Sequence, residues 1–293
     1  VGSEMCIRDS TDTITSYNCI ASTNVWLTSP SIIDNLIFTP LQSHNVYVAP
    51  GGVINCKNLT VNPAAGKITF SAAQPVSVNI YGNLYLAPNS CSWKTQSGYL
   101  AEIFLVFKST LAATINTSGL NDGSTVNVNY YLATPSKLIE LNSDINVKRL
   151  TIYPISYDNS TTVFKTNNYN ISCLADIDYN LGIIDLGSST ITVSGKLNLH
   201  ATTIPSQFNA GTSTFKFITK STSGIVFDRS ATNTNSYTLY NVEFDPANNS
   251  GYYGMALIDV SAGSGPAATK VNLTMNSLII NAPKNVGTTF TPG

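Results

Sequence analysis

What most constrains the fold of this chain is a short apolar motif that keeps returning: two alternating apolar residues, a corner of two or three residues, then two more. Ile54 and Cys56 are followed by Leu59 and Val61, and Val78 and Ile80 by Leu84 and Leu86. Ile145 and Val147 precede Leu150 and Ile152, and Ile191 and Val193 precede Leu197 and Leu199. Tyr237 and Leu239 lead to Val242 and Phe244, and Leu273 and Met275 to Leu278 and Ile280. Period-two alternation is strand chemistry, and each doublet sends two side chains to one side of a very short strand. The corners hold Asn58, Gly82 with Asn83, Gly195 and Asn241. Asn and Gly accept the left-handed backbone angles expected of a sharp bend. Antiparallel hairpins would call for Asn-Gly or Asp-Gly turns, and Asp122-Gly123 is the single such dipeptide. Helical periodicity is confined to 99–115, where Ile103, Val106 and Phe107 suit a strand equally well.

The motif also repeats by translation. GSSTITV (187–193) returns 24 residues later as GTSTFKF (211–217), with Ile191 over Phe215, and Thr238 and Leu239 continue the column at a further step of 24. Units starting at 54 and 78 differ by 24, and those at 191 and 237 by 46, nearly twice 23. A fixed period of this size with strand chemistry predicts a stacked array. The expected fold is an all-β parallel β-helix, or β-solenoid, with coils of about 24 residues; repeated β-sandwich modules are the alternative. Equivalent residues of adjacent coils would lie roughly 4.8 Å apart, apolar columns inside and polar columns outside.

Composition agrees. Asn, Thr and Ser number 32, 34 and 33, about a third of 293 residues, while charged residues make up 11 %. Like charges stacked at ladder spacing repel, so a solenoid keeps few of them. A net charge of -1 gives no electrostatic hold on nucleic acid or an anionic membrane. With 43 % hydrophobic residues, 15 Tyr and 11 Phe, the chain can fold rather than stay disordered. The most apolar run, 99–107, is nine residues long and carries Glu102, too short to insert in a membrane as a helix.

Four segments are expected. Residues 1–10, VGSEMCIRDS, hold Glu4, Arg8 and Asp9, whereas 11–33 hold a single charge, Asp12; the decapeptide reads as a non-native leader. Residues 11–44 form an N-terminal cap or lead-in, 45–245 the array, and 246–293 a C-terminal continuation that reads as truncated. Setting Cys6 aside with the leader leaves Cys19, Cys56, Cys91 and Cys173, widely spaced and without a Cys-x-x-Cys pair or a Cys/His cluster. Disulfides and buried free thiols both remain open. Six Asn-x-Ser/Thr triplets, such as Asn58 and Asn170, are a chance expectation at this composition.

Several stretches carry a resemblance: KTNNYNIS (165–172), LGSSTITVSG (186–195), FNAGTSTFKFI (208–218) and YNVEF (240–244), in that order. They resemble a module of long repetitive bacterial surface proteins of the Bacteroidetes type, and similar modules occur in phage tail fibres and tailspikes. INCKNLTV (54–61) followed by VNIYGNLYL (78–86) resembles the upstream part of such arrays. The resemblance spans about 45–245 and implies an extracellular or cell-surface β-solenoid stalk or adhesive surface, with surface glycans or a host surface as partners. The virion component is the alternative, trimeric in that case; the oligomeric state is otherwise open. It brings no catalytic residues.

Residue chemistry points away from an enzyme. Two histidines and four glutamates leave little acid–base or metal-ligating material, so no catalytic, cofactor or metal residues are expected. Asp176, Asp178 and Asp185 are the one local cluster of carboxylates, a candidate for polysaccharide cleavage by a β-helix enzyme or for a cation site. Alternation places Asp176 and Asp178 on the outer face of a strand, where solvated side chains are expected. Lys148 and Arg149 read as a solvated turn, and His44 and His200 as structural. Trp26, Trp93 and the pair Tyr252 and Tyr253 are candidate sugar-stacking platforms, with capping of the array as the competing role for each. Tyr252 and Tyr253, in the loop-like SGYYGM (250–255), are the better glycan candidates. Gly-rich GSG (263–265) lacks the Lys-Ser/Thr of a phosphate loop.

Overall fold

A computed structural model describes residues 25–27, 29–38, 43–48, 53–62, 66–72, 74–95, 103–109, 111–117, 128–132, 138–153, 163–180, 182–200, 205–218, 224–228, 236–245, 258–262 and 272–281. Among them every regular element is a β-strand except a single 3-10 turn, Pro205–Gln207. All strand pairs are parallel, each strand lying on its counterpart one coil away, so the chain is a β-solenoid. Ile103–Phe107 and Ala113–Asn116 are strands, so the described residues within 99–115 are not helical.

The coils have three faces, visited in a fixed order. The first is a ladder of ten strands from Ser29–Phe38 to Ile258–Ala262; one register line runs Ile54, Val78, Leu105, Tyr130, Leu150, Ile177, Leu197, Ile225, Ile258, and of these Ile54, Val78, Leu105, Leu150, Ile177, Leu197 and Ile225 are buried. The second carries Leu36, Leu59, Leu84 and Ile115, and further on Ile139, Phe164, Ile184 and Phe208. The third is split into two sheets. One stacks Val46, Phe70 and Trp93, the other Ile145, Ile171, Ile191, Phe215, Val242 and Leu278. In most strands side chains alternate between buried and partly exposed, and Leu84, Ile139, Val193, Phe217 and Leu239 have no exposed surface at all. Burial at about 25 cal/mol per Å² of apolar surface makes this continuous core the main source of stability.

Two sequence expectations need correction. The six doublet–corner–doublet units are not one corner. Ile54 to Val61 turns from the first face to the second, Ile191 to Leu199 from the third to the first, and Tyr237 to Phe244 enters the third. The spacing of 46 between Ile191 and Tyr237 therefore links different faces. Phe215 is stacked on Val242, 27 residues away, and Leu239 pairs instead with Met275, so Thr238 and Leu239 do not continue the Ile191 column. The coils average about 25 residues, as the expected repeat of about 24 requires, while individual steps along the first face vary: 24, 27, 25, 20, 27, 20, 28 and 33 residues. Only strands must keep register in a parallel stack; corner segments can lengthen outward without disturbing the core.

Cys56, Cys91 and Cys173 are free and buried, and burial pushes each thiol up to about 12. Cys19 lies outside the described residues. Trp93 is an interior residue stacked 4.3 Å from Phe70, which removes it from the candidate platforms. Trp26 belongs to the strand Val25–Leu27 on the third face. Tyr252, Tyr253 and the GSG segment lie outside the described residues.

Candidate functional site

The outer surface is built from the corners upward. Where the first face turns into the second, Asn58 donates through Nδ2 to Asn35 Oδ1 (2.7 Å), and its own Oδ1 accepts the Asn83 N–H (2.8 Å). Asn83 Oδ1 accepts the Thr114 N–H in the next coil (2.9 Å). At the entry to the third face, Asp144 Oδ1 accepts the Asn170 N–H (2.7 Å) and Asn170 Oδ1 the Thr190 N–H (2.8 Å). Asn241 then donates to Thr214 Oγ1 (3.3 Å), and Asn276 to Asn241 Oδ1 (3.4 Å). Each corner side chain thus ties its own coil to a neighbouring one, most often by capping a backbone N–H. That is why Asn and Thr are so abundant in a chain of few charges.

Glycine at two of these corners serves close approach rather than a left-handed angle. A Cβ at Gly82 would stand 2.6 Å from Asn58 Oδ1, and one at Gly195 would stand 2.6 Å from the Ala175 carbonyl oxygen and collide with Asp176 Oδ1. Among the described residues, the non-glycine positions with positive φ are Asn89, Asn167 and Asn168, none of them a corner predicted from the apolar motif.

The Asp cluster divides. Asp185 lies on the second face, in register with Lys165, and accepts Asn209 Nδ2 at 3.1 Å. Asp176 and Asp178 stay together on the first, but neither is a solvated ornament. Asp176 Oδ1 accepts the Lys196 N–H (2.8 Å) and its Oδ2 meets Arg149 Nη2 (3.3 Å). Asp178 Oδ1 accepts Asn198 Nδ2 (2.6 Å) and lies 3.9 Å from His200 Nε2; Arg149 Nε stands 3.9 Å from its Oδ2. Arg149 comes from the coil before and Asn198 with His200 from the coil after. Burial raises the Asp178 pKa, but the neighbouring His200 imidazole, the Asn198 hydrogen bond and the Arg149 charge outweigh it and hold the carboxyl below its ordinary 3.8.

Sequence reading missed this constellation because Arg149 and His200 are remote from Asp178 along the chain. The signal was the register itself, since Thr151, Asp178 and Asn198 are one outward column. A second ionic group was missed for the same reason. On the third face Lys216 reaches Glu243 (3.2 Å) and Asp245 (2.9 Å), Glu243 being its in-register neighbour.

Chemically, the first-face group is an ion-paired clasp across three coils. A general acid needs a carboxyl whose pKa is raised, and that of Asp178 moves the other way. No set of three or more His, Cys, Asp or Glu suited to a metal ion occurs among the described residues. No helix of the described residues is long and apolar enough to cross a membrane. Comparison with family models, with curated proteins and with solved structures returned no match.

Proposed function

We propose that this chain is an extracellular structural and adhesive β-solenoid segment, which spaces or presents a binding surface to glycans or to a host surface. The observation that carries this reading is the run of polar ladders along the stack. Asn35–Asn58–Asn83 and Asn170–Thr190 bind coil to coil and make the outside a near-neutral row of amides and hydroxyls on a rigid core. Such a surface presents hydrogen-bonding groups at about 4.8 Å intervals, suited to shallow, weak and repeated contacts. Two ionic groups on it are internally paired, Arg149 with Asp176 and Lys216 with Glu243, and so reinforce the stack rather than await a substrate.

The test is a panel of immobilised and soluble polysaccharides, run with wild type beside the Asp176→Asn/Asp178→Asn variant. Weak retention by both proteins on one or more glycans, with no cleavage, supports the proposal. Turnover by wild type that disappears in a folded double variant would overturn it in favour of a carbohydrate-active enzyme.

A further inference from the structure

At the entry to the third face, the strand register continued to the corner residues puts Tyr169, Ser189, Ser213 and Tyr240 on one line along the stack. Three of them close the same turn: the Tyr169 N–H donates to the Thr166 carbonyl, that of Ser189 to Leu186 and that of Ser213 to Ala210. Tyr169 and Tyr240 are 38 % and 37 % exposed, more than any other aromatic side chain that the structure describes. Ser189 and Ser213, between them, are completely buried, and Ser189 Oγ turns inward to Thr166 Oγ1 (2.7 Å). The line is therefore a notch with a phenol ring at each end, the two backbones standing three ladder steps, about 14 Å, apart. The core has no need of tyrosine here, since serine fills the same line in the coils between.

Residues 166–170, 186–190, 210–214 and 238–241, which form this edge, include no charged side chain. Lys216, on the third face beyond it, is held by Glu243 and Asp245. What the edge offers is amides and hydroxyls: Asn168, Ser188 and Thr212 are exposed, and Thr190 and Thr214 half-exposed. Aromatic rings with an apolar face, set among neutral hydrogen-bonding groups, suit pyranose sugars, whose C–H faces stack on such rings while their hydroxyls pair with amides. An acidic glycan would find no cation on this edge to balance it.

We propose that this edge binds an extended neutral oligosaccharide, with Tyr169 and Tyr240 stacked on sugar rings about three units apart. The inference rests on the glycan-presenting reading above and gives it a location.

Isothermal titration of the full chain with cellohexaose, mannohexaose and hexa-N-acetylchitohexaose, with the matching disaccharides and with hexagalacturonic acid, tests this. At least one neutral hexasaccharide is expected to bind, and its disaccharide, which spans a single ring, to bind much more weakly. Tyr169→Ala and Tyr240→Ala should each weaken the hexasaccharide about tenfold, with circular dichroism unchanged because both side chains are exposed. Tyr169→Phe and Tyr240→Phe, which keep the ring, should bind like wild type. Hexasaccharide binding that survives both alanine variants, that is matched by the disaccharide, or that is stronger for hexagalacturonic acid would overturn this inference and leave the wider glycan reading standing. Failure to bind any of the neutral hexasaccharides would overturn it as well, and retention on the polysaccharide panel then decides the wider reading separately.

Discussion

At the scale of single residues, the corners make the sharpest demands. Gly195 sits against the Ala175 carbonyl and Asp176 Oδ1, so a methyl group there must push one coil off the next. Gly195→Ala is expected to lower stability by about 1–3 kcal/mol, the usual range for overpacking, read as a reduced denaturant midpoint. Ser194→Ala, on the half-exposed neighbour, should leave the midpoint close to wild type. Asp178 gives a pH test whose sign is fixed. Its folded pKa lies below 3.8, so its contribution is fully present above the unfolded value and is lost as pH falls through the folded one. Because the group is partly open to solvent, about 0.5–1 kcal/mol is the expected scale. Wild type should therefore exceed Asp178→Asn at pH 7 and converge with it in strong acid. A constant gap across that range would exclude the titration of Asp178 as its source.

At the scale of strands, inward and outward positions should respond in opposite ways. Ile191 is stacked between Ile171 and Phe215 in a closed apolar column, while Thr192 faces outward between Ser172 and Lys216. Ile191→Asp and Phe215→Asp each bury a charge without a partner and should cost roughly 3–5 kcal/mol. Thr192→Asp gains Lys216 as a neighbour and should cost far less. Equal losses at Ile191 and Thr192, measured by chemical denaturation, would contradict the face assignment. This level was the most legible in sequence, because alternation is local: each inward doublet, such as Ile54 with Cys56 or Leu278 with Ile280, could be read from its immediate neighbours. What the sequence did not reveal was which face a doublet belongs to. Three corners of one triangular coil use the same apolar–corner–apolar grammar, so Ile191 and Tyr237 looked equivalent while lying on different faces. The Arg149–Asp178–His200 group was hidden for a related reason. Its members come together only when coils of unequal length are stacked, and steps ranging from 20 to 33 residues defeat a search at fixed spacing.

At the scale of the whole molecule, stability and shape both follow from stacking. Each coil buries its apolar faces only against its neighbours, so the array behaves as a one-dimensional chain of interfaces rather than one globular core. Ten first-face strands at about 4.8 Å per step give a stack about 43 Å long. The three-faced cross-section is fixed by strands mostly three to five residues long, so it does not grow with chain length, whereas the stack does. The chain should therefore scatter as an elongated particle, with a pair-distance distribution skewed to long distances. Its far-ultraviolet circular dichroism should be that of β-structure with negligible helix. The two measurements discriminate in different directions. A helix content near the globular average of about a third would contradict the strand assignment, while a symmetric pair-distance distribution would leave the strands in place but contradict the stack.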